Sequence, residues 1–156
     1  MKKLILSILA SVSIAVSAQE LTFSEAKFKM GDDPSFSSVT LDDSKWETLS
    51  VQKTWDAQGK RPNAATGWYR FHVKITKQML ESSDMKECVQ FALGGIDDAD
   101  ETYLNGKLIG KTGQFPSDKG GYKSMWSVPR IYTVKVNSDI IRWDQDNVLS
   151  VRCYSG

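Results

Sequence analysis

The most informative part of the chain is GGIDDADETYLNGKLIG, at residues 94–110. Within it, Asn105 and Gly106 supply the two positive-φ residues that a type I′ hairpin turn requires. Tyr103 and Leu108 then face each other across the turn, with strand-forming residues on both sides. The stretch therefore predicts two antiparallel strands joined by a two-residue loop.

The rest of the chain carries further strand signals. The clearest spans residues 68–75, where the odd positions from Tyr69 to Ile75 are apolar and the even positions from Trp68 to Lys74 are mostly polar. This alternation predicts one buried face and one solvated face. Shorter runs with strand composition lie at residues 26–30, 46–51, 88–93, 131–136 and 148–154. Together with the hairpin they make about eight strands, which predicts an all-β sandwich.

Four motifs in a fixed order carry a family resemblance: DDSKW at 42–46, GWYRF at 67–71, the hairpin stretch, and NVLSVR at 147–152. Together they resemble the sugar-binding domain at the N-terminal end of glycoside hydrolase family 2 enzymes, such as bacterial β-galactosidases. Sialate O-acetylesterase-like carbohydrate esterases carry a related domain. The resemblance covers roughly residues 28–154. It implies that the sandwich is a galactose-binding-like jelly roll.

The N-terminal residues have the composition of a leader. Lys2 and Lys3 precede an apolar run from Leu4 to Val16, and Val16-Ser17-Ala18 forms a small-residue cleavage site. The apolar run is too short to span a bilayer, and no lipidation cysteine follows it. We expect a signal peptide at 1–18, a single mature domain at 19–156 and a periplasmic or secreted location. An uncleaved anchor is the alternative.

The net charge of the chain bears on its partners, and the placement of its two cysteines bears on a disulfide. The formal net charge is +1, and loss of two lysines with the leader makes it about −1, so nothing indicates nucleic acid or an anionic membrane as a partner. Export would permit a disulfide between Cys88 and Cys153. The alternation of their strands, however, places the two sulfurs on opposite faces. We therefore expect both thiols to be free.

Catalytic groups are scarce. His72 is the single histidine and sits on a strand face beside charged neighbours, so we interpret it as a solvated or edge-packed side chain and assign no catalytic residue. Asp97, Asp98 and Asp100 cluster at the entry to the hairpin. Such carboxylates most simply accept hydrogen bonds in a turn. The alternatives are a structural calcium ion or direct contacts to a sugar.

A sugar site needs aromatic faces and planar polar groups. The loop at residues 112–130 offers Trp126, Tyr122 and Arg130, and loops of a sandwich are where binding sites concentrate. Trp68, on the outward face of its strand, is a second platform. The alternative for the loop is that Trp126 and Tyr122 cover one end of the core. Some galactosidases lend an asparagine from the loop before the GWY strand to a neighbouring active site, and the resemblance gives Asn63 that place.

These observations favour a non-catalytic carbohydrate-binding module that acts in extracytoplasmic glycan degradation. In family 2 enzymes the resembling domain is usually non-catalytic, because the catalytic groups lie in a downstream barrel. The expected partners are a glycan and a catalytic hydrolase domain. One alternative is a truncated fragment of a larger hydrolase, similar to a β-galactosidase, a β-glucuronidase or a carbohydrate acetylesterase. The other is a scaffold module that holds another protein.

Overall fold

The structure is a computed structural model that describes residues 20–60, 63–83 and 86–156; the leader expected at 1–18 lies outside these residues. The strands are β1 (Glu25–Met30), β2 (Glu47–Ser50), β3 (Ala65–Lys74), β4 (Cys88–Gly95), β5 (Ala99–Leu104), β6 (Lys107–Thr112), β7 (Pro129–Lys135) and β8 (Asp146–Ser155). One short helix, α1 (Lys77–Glu81), and 3-10 turns at Pro34–Ser37 and Asp56–Gln58 complete the elements. Within the described ranges, no helix has the length and apolar character that crossing a bilayer would take.

The strands form two antiparallel sheets. The larger has the order β2-β1-β3-β8-β5-β6, and the smaller pairs β4 with β7. Side chains from both sheets meet in one apolar core, which includes Val73, Leu104, Val134 and Leu149. The all-β sandwich predicted from the sequence is therefore confirmed, as is the number of strands within the described residues.

The hairpin forms as its sequence predicts. Asn105 and Gly106 have φ angles of 51° and 79°, and Tyr103 pairs with Leu108. The side chain of Asn105 also fastens the turn to the rest of the sandwich, because its amide donates to the carbonyl of Ile140 at 2.7 Å while its oxygen accepts from the backbone of Val148 at 2.9 Å. Asn105 thus forms the turn and also bonds it to residues that are distant in the sequence.

The two faces of β3 differ from the sequence prediction. Val73 and Ile75 are buried, as expected, but so are Trp68 and Arg70 on the face predicted to be solvated. That face is covered by the segment between β1 and β2, whose Phe36 ring lies 6.1 Å from the ring of Trp68 and 5.0 Å from that of Trp46. The prediction of a wet outer face is therefore wrong at these two positions, because a loop distant in sequence covers them.

Both cysteines are free thiols, in agreement with the alternation argument. Cys153 is buried on β8, where its Sγ donates to the carbonyl of Gly67 at 3.4 Å. Burial raises the pKa of the Cys153 thiol well above its usual value. Cys88 lies half-buried at the start of β4.

Candidate functional site

A cleft of about 870 Å³ opens between the two sheets. Its floor is the inner face of β3 and β8, including Tyr69, Phe71, Leu149 and Val151. The cleft exists because a two-stranded sheet covers only part of a six-stranded one. Its volume lies within the range typical of small-molecule sites.

Two of the residues predicted to bind sugar line this cleft. Trp126, in the loop between β6 and β7, is 67% exposed and lines it. Asn63, in the loop before β3, and Asp97, between β4 and β5, line it too. We call these three residues the rim. An exposed indole, an amide and a carboxylate there offer a flat apolar face and groups that bind hydroxyls.

Tyr122 lies in the same loop as Trp126 but does not line the cleft. Its ring meets that of Tyr154 edge-on at 5.5 Å, and Tyr154 lines the cleft. Loss of solvation raises the pKa of Tyr122, and its hydrogen bond to the Asp98 carboxylate adds to that rise. Tyr122 is 47% exposed, and its ring contacts Tyr154 rather than lining the cleft itself.

Arg130 has a different role from the one predicted. Its guanidinium is fully buried and donates to Asp100 Oδ1 at 2.8 Å, to the carbonyl of Met125 at 2.8 Å and to the carbonyl of Asp97 at 2.9 Å. These bonds tie the end of the 113–128 loop to the entry of β5. A sugar hydroxyl cannot reach this guanidinium without unfolding the loop.

Trp68 is likewise unavailable as a sugar platform. Only 1% of its surface is exposed, and its ring stacks on Tyr103 with centroids 5.7 Å apart and an interplanar angle of 27°. Phe36 closes the other approach. Trp68 therefore stabilises the covering segment on the outer face of β3.

The three aspartates predicted as a metal site bind separate donors. Asp100 accepts from Arg130 and from the hydroxyls of Tyr132 and Thr102. Asp98 accepts from Ser124, and Asp97 accepts from Ser155. Across the described ranges, no three side chains of His, Cys, Asp or Glu come together as metal ligands. The hydrogen bonds agree with the expectation that these carboxylates accept bonds near the turn, and the three side chains are not brought together as the alternative calcium site would require.

Hydrogen bonds also set the charge state of Asp98. Its burial works to raise the pKa, but bonds from the Ser124 hydroxyl at 2.5 Å and from the backbone of Gly156 at 2.7 Å outweigh that effect and hold the pKa below its usual value. Asp98 is thus a charged anchor for the end of β8 and for the 113–128 loop.

His72 has partners that sequence alternation could not reveal. Its Nδ1 lies 2.8 Å from Asp146 and its Nε2 lies 3.0 Å from Asp43. Asp43 also accepts from the buried guanidinium of Arg70 at 2.6 Å. Burial alone would lower the pKa of His72, but the bonds to Asp146 and Asp43 outweigh it and hold the pKa above its ordinary value. The group holds the segment between β1 and β2 against β3.

Comparison with known proteins identifies the enzymes in which this fold occurs. No protein-family model matches the chain. A curated protein from Formosa agariphila named "Putative beta-glucuronidase" is 26% identical over 140 residues, which are 81% of this chain and 12% of that protein. The crystal structure of Bacteroides uniformis β-glucuronidase matches 86% of this chain at 25% identity, with a TM-score of 0.58. The chain resembles a part of glycoside hydrolase family 2 enzymes.

A solved family 2 member from Bacteroides cellulosilyticus has the same fold, with a TM-score of 0.63 at 19% identity over 87% of this chain. The matched region is 18% of that protein and 14% of the Bacteroides uniformis enzyme. The resemblance to family 2 inferred from the sequence motifs is therefore confirmed. The chain spans roughly an eighth of the curated relative's length, so it corresponds to an accessory part of these enzymes rather than to a whole enzyme.

Proposed function

We propose that this domain is a non-catalytic carbohydrate-binding module that acts in glycan degradation outside the cytoplasm. The observation that carries the proposal is the rim of the cleft, where the exposed indole of Trp126 stands at the same opening as the side chains of Asn63 and Asp97. The similarity to a part of glycoside hydrolase family 2 enzymes supports a glycan as the ligand.

The chemistry of a sugar ring matches this rim. A pyranose presents a patch of C–H groups that an aromatic face covers, and a border of hydroxyls that amides and carboxylates bind. Trp126 supplies the face, Asn63 can both donate and accept, and Asp97 accepts. Tyr122, in the same loop, offers a second exposed ring. An open rim leaves much of the ligand in water, so we expect weak affinity.

An NMR titration tests this site. The mature domain is titrated with galactosides, glucuronides and longer glycan fragments, and its backbone amide chemical shifts are followed, because this signal does not depend on Trp126. Trp126→Ala should abolish binding, and Asn63→Ala should weaken it, without shifting the melting midpoint. Ile131→Ala is the matched control because Ile131 is similarly exposed on β7 but does not line the cleft.

Two outcomes contradict the sugar site. Binding that survives Trp126→Ala would place the sugar elsewhere on the domain. Failure of every glycan in an array to bind the folded wild-type domain would reject the carbohydrate role altogether.

Export is part of the same proposal. Residues 1–18 are proposed to be a signal peptide, which makes Gln19 the first residue of the mature protein. N-terminal sequencing of the protein from the periplasm or the medium should begin at Gln19. A start at Met1 in a membrane fraction would instead indicate an uncleaved anchor.

A second candidate is that the domain acts as a piece of a larger hydrolase, similar to a β-galactosidase, a β-glucuronidase or a carbohydrate acetylesterase, with a catalytic domain as its partner. The short coverage of the relatives supports this candidate. An antibody against the domain distinguishes the two on a blot of the producing cells. A band near 17.5 kDa or slightly below supports a separate module, and a band several times larger supports the hydrolase.

A further inference from the structure

One edge of β4 is open. β4 pairs with β7 along its other edge, and none of the described strands pairs with the open one. The hydrogen bond from the Val136 N–H to the Glu87 carbonyl, at 3.0 Å, shows which opposite residues of β4 and β7 form hydrogen-bonded pairs. Bonded and non-bonded pairs alternate along such a ladder. The N–H and C=O groups of Gln90 and Ala92 therefore point away from β7, toward the open edge.

The open edge borders the cleft. Four consecutive residues of β4, from Gln90 to Leu93, line it. Side chains alternate in direction along a strand, so a run of consecutive lining residues means that the backbone itself forms the border. Beneath it lies the floor made by Tyr69, Phe71, Leu149 and Val151. An unpaired backbone edge thus stands beside an apolar surface.

The charges around the cleft are unbalanced. Among the described residues that line it, Glu20, Asp56 and Asp97 are acidic, and Lys53 is the one basic side chain. A second copy of this chain would bring the same carboxylates together, which opposes pairing between copies. A segment with Lys or Arg at its ends complements these carboxylates.

We propose that the open edge of β4 and the floor of the cleft form a strand-addition site for an extended segment of a partner polypeptide. The segment has apolar side chains at alternate positions and basic residues at its ends. Its backbone bonds to Gln90 and Ala92, and its apolar face packs beside the half-buried Phe71, whose ring meets that of Phe23 edge-on at 5.6 Å. Strand addition of this kind takes affinity from backbone bonds and specificity from alternate side chains. The smaller sheet then gains a third strand.

Titration with a synthetic peptide tests the site. The probe is a seven-residue peptide in which valine and threonine alternate between two terminal lysines. We expect binding to be detectable at peptide concentrations of up to a millimolar. The bound peptide should slow amide hydrogen exchange at Gln90 and Ala92 at least tenfold. The same peptide with terminal glutamates should bind at least threefold more weakly. A version N-methylated at alternate residues, which cannot complete the ladder, should give no protection.

A matched pair of variants tests the backbone contact. Ala92→Pro removes an N–H that does not bond to β7, and proline is tolerated on edge strands. It should reduce peptide affinity at least tenfold, whereas Ala92→Val, which keeps the N–H, should bind like the wild type. If Ala92→Pro does not fold, the N-methylated peptide measures the same contact on the wild-type protein.

Several results would overturn the proposal. They are absence of protection at millimolar peptide, equal binding of the N-methylated peptide, and protection of these amides by self-association that grows with protein concentration. Ala92→Pro changes a backbone group of β4 and none of the rim side chains, so it should weaken the peptide and not the sugar. Failure of the sugar site and failure of the strand site therefore give different patterns.

Discussion

Arg130 on β7 and Asp100 on β5 form an ion pair that joins the two sheets, with Nε and Oδ1 2.8 Å apart and neither side chain exposed to solvent. The hydroxyls of Tyr132 and Thr102 also donate hydrogen bonds to this carboxylate. The guanidinium also donates to the backbone carbonyls of Met125 and Asp97. A buried pair of this kind is costly to break, because the remaining partner is left charged and without water.

Loss of one partner should therefore destabilise the domain strongly. We expect Arg130→Met to lower the free energy of unfolding by about 3 to 5 kcal/mol, measured by chemical denaturation. Lys60→Met is the control, since the Lys60–Glu47 pair is partly exposed and such pairs contribute about 0 to 1 kcal/mol. Equal costs for the two variants would mean that the Arg130–Asp100 pair is not sealed from solvent.

Gly110 should be intolerant of any side chain. A Cβ at this position would lie 2.0 Å from Cδ1 of Tyr132, whose hydroxyl donates to Asp100 at 2.8 Å. Gly110→Ala should cost at least about 1 to 3 kcal/mol, as overpacking does, and should displace the Tyr132 ring. Gly95→Ala is the control, because a Cβ there meets nothing within 4 Å; its melting midpoint should stay within a few degrees of the wild type. A neutral Gly110→Ala would refute the close approach of β6 and β7.

Two leucines on either side of the hairpin turn should differ in how much they contribute to the free energy of unfolding. Leu104 is fully buried in the core, whereas Leu108 is 49% exposed. Leu104→Ala should cost about 2 to 5 kcal/mol because it leaves a cavity. Leu108→Ala should stay within about 0.5 kcal/mol, as surface substitutions do. Denaturant melts that give the reverse order would mean that the hairpin packs with its other face inward.

Stability should depend on pH through His72. The bonds to Asp146 and Asp43 hold the folded-state pKa of His72 above its ordinary value of 6.5. The folded state therefore holds the proton more tightly than the unfolded state. The resulting stabilisation is complete below about pH 6.5 and is lost as the pH rises through the raised pKa. It should be modest, because the side chain is partly exposed.

Denaturation at a series of pH values measures this effect. His72→Gln should flatten the decline in unfolding free energy between about pH 6 and pH 8, the range around the ordinary histidine pKa. His72 is the single histidine of the chain, so no second imidazole can mimic the titration. A wild-type profile as flat as that of His72→Gln would contradict the raised pKa.

Local signals were sufficient for the hairpin and for the strands. Asn105 and Gly106 adopt positive φ because of their own backbone preferences. The alternation from Tyr69 to Ile75 predicted a strand because its period follows from the pleat of one chain. The same alternation could not show what covers each face. It predicted a solvated outer face for Trp68 and Arg70, and a segment more than twenty residues upstream buries both.

The same distinction between local signals and tertiary packing applies to the candidate site. The fold class, the turn and the presence of residue types that can bind a sugar follow from the sequence, because these depend on local conformation and side-chain chemistry. That Arg130 pairs with Asp100 inside the protein, while Trp126 stays exposed at the cleft that Asn63 also lines, follows only from the packing of the folded chain. The physical reason is that burial and pairing arise where segments distant in the chain meet, and only the packing of the two sheets brings these segments together.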